Sequence, residues 1–144
     1  MKLQTLRKFA MVSLLLALTA ISVSAQTVRT KINIPFNFIV DQKTLPAGEY
    51  TVEPNRKDSD RVWLIQSSDG HAGVLVMTML SHASKTQEKV KLVFHQYGAQ
   101  YFLSQIWTPG GSTGHELTMP RQERELAKNA VKGQTVDLIA GSKD

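Results

Sequence analysis

Along residues 28–40 apolar and polar positions alternate. Val28, Ile32, Ile34, Phe36, Phe38 and Val40 fall on even numbers, against Arg29, Lys31, Asn33, Asn37 and Asp41 on odd ones. A period of two over this length predicts strands with one buried face. Pro35 cannot donate to a ladder and marks an edge or a break between two strands. Leu45-Pro46-Ala47-Gly48 is a turn, with Pro presetting φ. A strand over 49–53 follows and buries Tyr50 and Val52. Residues 61–66 and 73–80 are apolar on both faces and predict strands inside a sandwich or barrel. Ser68-Asp69-Gly70 between them is a hairpin signal.

Residues 88–97 alternate again, with Val90, Leu92 and Phe94 on one side and Lys89, Lys91, Val93, His95 and Tyr97 on the other. Gly98-Ala99 suits a type II′ link to a returning strand over 101–107. The parities of that strand place Tyr101 and Trp107 on one face and Phe102 on the other. Residues 108–114 hold four of the glycines and prolines and read as a loop. A helix is expected over 120–130. Pro120 opens it, Glu123 and Glu125 complement its positive end, and Leu126, Ala127, Ala130 and Val131 form its apolar face. Residues 134–140 supply a last strand. The pattern predicts a mainly β chain: an antiparallel sandwich or small barrel of about seven or eight strands, with one C-terminal helix.

The first 25 residues have a different grammar. Lys2, Arg7 and Lys8 precede an apolar run over 9–23, and Val23-Ser24-Ala25 follows. This is the order of a Sec-type signal peptide, with cleavage expected after Ala25 and a single domain over 26–144. At about 15 residues the run falls short of the roughly 20 that a membrane helix needs, so no stable transmembrane anchor is expected after cleavage. The expected location is the periplasm or the medium. The absence of Cys excludes disulfides, lipid attachment through Cys and thiolate chemistry, and favours a bacterial envelope over a eukaryotic secretory route.

Charge changes with the leader. The whole chain carries 17 Lys and Arg against 12 Asp and Glu, a balance of +5. Without residues 1–25 it is 14 against 12, or +2. That near-neutral domain argues against a nucleic-acid partner.

Several elements also resemble a known family: Ile34-Pro35-Phe36-Asn37-Phe38, Leu45-Pro46-Ala47-Gly48-Glu49-Tyr50, Leu92-Val93-Phe94-His95, Tyr101-Phe102-Leu103 and the helix over 121–128. Together they are similar to an uncharacterised family of small secreted β-rich proteins best represented in soil acidobacteria. The similarity runs from about residue 30 to 130. The chain departs from the family at Asn37, where an acid is more usual. The resemblance implies a secreted β domain and adds nothing to a mechanism.

Candidate chemistry is sparse. His71, His82, His95 and His115 stand at no metal-ligand spacing, and no metal or cofactor is expected. Gly110-Gly111-Ser112-Thr113-Gly114 spells Gly-x-Ser-x-Gly but reads as a loop and not as the strand-to-helix elbow of a hydrolase, and it lacks the Lys of a phosphate loop. Glu123 and Glu125 do not face each other on a helix, which speaks against paired-carboxylate glycoside chemistry. The densest cluster is aromatic. Tyr97, Tyr101 and Trp107 flank the Gly98-Ala99 turn, with His95 beside them. Amphipathic aromatics next to a turn suit capture of a sugar, peptide or protein.

The leading expectation is a secreted or periplasmic non-catalytic binding or structural module for an envelope or extracellular partner. The sequence specifies neither that ligand nor the oligomeric state. A small barrel carrying an apolar ligand would instead line its interior with Trp63, Leu75, Met77 and Met79. A hydrolase with a dispersed site would bring His95 or His115 against a carboxylate in a cleft.

Overall fold

A computed structural model describes residues 30–55, 61–129 and 132–141. The expected leader therefore lies outside the described residues. The chain folds as strands β1 (Thr30–Ile34), β2 (Phe38–Val40), β3 (Lys43–Leu45), β4 (Gly48–Pro54), β5 (Val62–Ser67), β6 (Gly73–His82), β7 (Lys91–Tyr97), β8 (Gln100–Trp107) and β9 (Thr113–Leu117). Helix α1 (Arg121–Lys128) and strand β10 (Gln134–Ile139) follow. Among the described residues the protein is mainly β with one helix near the C-terminus, as the alternation predicts. Pro35 ends β1, and a bend at the half-buried Phe36 turns the chain into β2.

Among the described residues ten strands form where seven or eight were expected. The extra two are β3 and β9. Strand β3 closes a hairpin on β2 through Asp41, which takes a positive φ of 56°. Asp tolerates that region better than most residues, and the two-residue link around it carries no glycine signal. Strand β9 begins at the end of the stretch read as loop, at Thr113 and Gly114, and continues through residues 115–117, for which no element was expected. It pairs with both β6 and β8, so it is a central strand despite Gly114.

The strand order is β1-β4-β5-β6-β9-β8-β2-β3, with β7 on β8 and β10 on β7. Pairing is antiparallel except where Ile39 of β2 meets Phe102 of β8. The long β6 passes from β5 to β9, and the sheet folds over on itself in a sandwich-like arrangement. The core brings Ile32 and Ile34 of β1, Tyr50 and Val52 of β4 and Trp63 and Ile65 of β5 together with Leu92, Phe94, Leu103 and Ile106 of β7 and β8. Phe38 joins the halves, edge-on to Tyr50 at 5.1 Å and to Phe94 at 5.6 Å. Each such side chain contributes about 1.5–3 kcal/mol by leaving water. The Tyr50 hydroxyl stays satisfied by donating to the Pro46 carbonyl at 2.7 Å, and Asn37 accepts from the Ala47 N–H at 2.9 Å. The Pro46–Ala47 peptide of the turn is thus held at both its carbonyl and its N–H.

One expectation about the interior fails. Strand β6 does not bury both faces. Val76 and Thr78 point inward, whereas Leu75, Met77 and Met79 are 55%, 76% and 58% exposed. No second layer covers that outer face among the described residues. Of the four side chains expected to line a carrier's interior, only Trp63 is inside.

Candidate functional site

The β7–β8 hairpin is closed by Gly98 at φ 61°, while Ala99 stays at negative φ. This is the type II′ link expected from Gly-Ala, and it pairs Tyr97 with Gln100. A bulge then shifts the register. Phe94 pairs with Leu103 but Val93 pairs with Gln105, so Ser104 is extra. Opposed residues in an antiparallel pair share a face, and one extra residue exchanges the faces beyond it. Phe102, opposite His95, and Trp107, opposite Lys91, therefore lie on the same face. The expected grouping of Tyr101 with Trp107 is corrected by this bulge.

Helix α1 covers the face that carries His95. Eight residues make a marginal helix alone, so docking must hold it. Pro120 stands at its N-cap without a side-chain bond, and the Asn129 N–H closes its end on the carbonyls of Glu125 and Leu126. An exposed ion pair, Arg121 to Glu125 at 2.9 Å, adds about 0.3–0.5 kcal/mol. The buried side chain of α1 is Glu123, with Leu126 half-buried one turn later. The sequence reading gave Glu123 to the helix dipole. Its spacing of three and four from Leu126 and Ala127, the i, i+3, i+4 face of a helix, was the missed signal. Of the expected apolar face, Ala130 and Val131 lie outside the described residues.

Glu123 Oε1 accepts from His95 Nδ1 at 2.7 Å. The carboxylate side chain is 2% exposed and the imidazole 32%. With Nδ1 so engaged, Nε2 is the ring nitrogen left for other partners. The Tyr97 hydroxyl addresses the same carboxylate. Burial first, then the charge of Glu123 and the hydrogen bond to it, raise the Tyr97 pKa above its ordinary value of 10.0. The ring of Tyr97 lies against Gly133, where a Cβ would come within 2.8 Å of it. Across the sheet, Thr135 of β10 pairs with His95.

These groups border an open cleft of about 470 Å³ between the end of α1 and β10, lined by His95, Tyr97, Ala127, Lys132, Gln134 and Thr135 with the Gly133 backbone. Among the described residues no group of three or more His, Asp or Glu is placed to hold a metal ion. His115 sits elsewhere, beside the Trp63 ring at 4.5 Å and 3.3 Å from the Thr78 hydroxyl.

The four expected site residues thus divide. His95 and Tyr97 meet at the cleft. Tyr101 is on the opposite face, stacked on Phe36 at 3.8 Å. Trp107 is 5% exposed, its Nε1 donating to Gln105 at 3.0 Å and the Lys91 ammonium 5.7 Å above its ring. The aromatics do not form one contact surface, because two of the three serve packing.

No family model, curated protein or solved structure matches this chain.

Proposed function

We propose that this chain is an exported, non-catalytic binding module whose ligand site is the cleft between α1 and β10. The observation that carries the reading is the buried Glu123 carboxylate holding His95 at the border of that cleft. A surface histidine needs no buried acid, and the fold commits a charged group from α1 to orient this one. The cleft volume is in the range that small-ligand sites occupy, with a few polar groups converging on it. Export rests on the leader pattern of residues 1–25.

A thermal-shift screen of small molecules tests the reading. Ala127 is exposed on the helix and lines the cleft, so Ala127→Trp fills it without disturbing the core. Ligands that raise the melting temperature of the wild type and fail with Ala127→Trp support the cleft. Ligands indifferent to that substitution, or no ligands at all, refute it.

The same dyad favours a second reading, hydrolysis with His95 as general base oriented by Glu123. Against it, among the described residues no hydroxyl is hydrogen-bonded to His95. Hydrolysis of p-nitrophenyl acetate that disappears in His95→Ala would promote this reading over the first.

A further inference from the structure

The cleft is electrostatically one-sided. The side chains it offers to a ligand are the Lys132 ammonium, the His95 imidazole, the Gln134 amide and the Thr135 hydroxyl. Glu123, behind His95, does not line the cleft; it is 2% exposed and already engaged by His95 and Tyr97. Two further acids on the flanking elements are paired as well. Asp137, two residues along β10, is 3.5 Å from Lys91, and Glu125 pairs with Arg121. A ligand entering the cleft therefore meets the Lys132 cation and the Gln134 and Thr135 donors, with no carboxylate among the described residues that line it. Ala127 and the Tyr97 ring add an apolar wall, and the space far exceeds a bare inorganic ion.

Resting on the cleft as a binding site, we propose that its ligand is a small organic anion. The oxyanion, carboxylate or phosphate, sits at the Lys132 ammonium with the Gln134 amide and the Thr135 hydroxyl donating to it, and its apolar body lies against Ala127 and Tyr97. Charge-assisted bonds of this kind are the stronger ones, so charge decides affinity here.

Calorimetric titration of the purified protein with benzoate, phenyl phosphate and the neutral benzamide tests the assignment. Benzoate and phenyl phosphate should bind, and benzamide should bind at least about tenfold more weakly. Lys132 is exposed, so Lys132→Met should leave the melt unchanged and weaken benzoate about tenfold. Benzamide binding as tightly as benzoate, with both displaced by Ala127→Trp, overturns the anion assignment and leaves the cleft reading standing. The same holds if the anions fail while the thermal-shift screen yields neutral cleft ligands. If neither probes nor screen find the cleft, both proposals fall.

Discussion

Glu123 of α1 and His95 of β7 meet at 2.7 Å across 28 residues of chain, the acid buried and the imidazole one-third exposed. This contact fastens the helix to the sheet. Removing one partner of a fully buried pair costs about 3–5 kcal/mol, but solvent reaches His95, so a smaller loss of about 1–3 kcal/mol is expected for Glu123→Ala. Urea unfolding measures it. Glu123→Gln, which keeps the shape and one acceptor, should lose less. A change within about 0.5 kcal/mol for Glu123→Ala would place it among ordinary surface substitutions and refute the latch.

Tyr97 makes the fold sensitive to alkali. Its pKa is raised in the folded state, so its neutral form contributes stability that is fully present below the ordinary value of 10.0. That contribution disappears as pH rises through the folded-state value. Tyr50, raised by burial and then by the charge of Asp69, acts in the same direction. Tyr97→Phe should therefore flatten part of the decline in melting temperature above pH 10.0. An unaltered alkaline profile would show that the hydroxyl does not face the carboxylate.

Gly114 leaves room for Trp107. A Cβ there would stand 2.5 Å from the indole, inside any allowed contact. Gly114→Ala should destabilise by about 1–3 kcal/mol through overpacking. A neutral substitution would mean that the Trp107 ring can move aside.

Gly98 makes a different demand. Nothing lies within 4 Å of a Cβ built there, so space is not the constraint, but its φ of 61° is. Gly98→Val should cost about 1 kcal/mol or more, read as a lowered midpoint in urea.

Truncating the aromatics separates packing from binding. Trp107→Ala should lose about 3–5 kcal/mol as a core residue. Half-buried Tyr97 at the cleft should lose less on truncation and, unlike Trp107, reduce ligand capture directly. Equal losses of stability at both positions would count against this division.

The strands that alternate cleanly were legible in the sequence, and so were the break at Pro35 and the II′ turn at Gly98, because one local rule decides each. The errors came where partners decide. The two apolar faces of β6 look alike in sequence, yet only Val76 and Thr78 are covered. Strand β9 carries glycine and few apolar residues, and its two neighbouring strands make it a strand. A single extra residue at Ser104 moved Trp107 to the other face, which no periodicity shows in advance. Of the site, His95 and Tyr97 were found by aromatic density. Glu123 was missed because a carboxylate in the first helical turn has a sufficient local explanation.

The cleft is tested most directly by mapping amide chemical shifts while a mixture of small-molecule fragments is titrated into the protein. The account predicts shifts centred on His95, Tyr97, Gly133, Gln134 and Thr135, abolished by Ala127→Trp. Shifts gathering instead on the exposed face of β6, at Leu75 and Met77, or an unperturbed cleft, would contradict it.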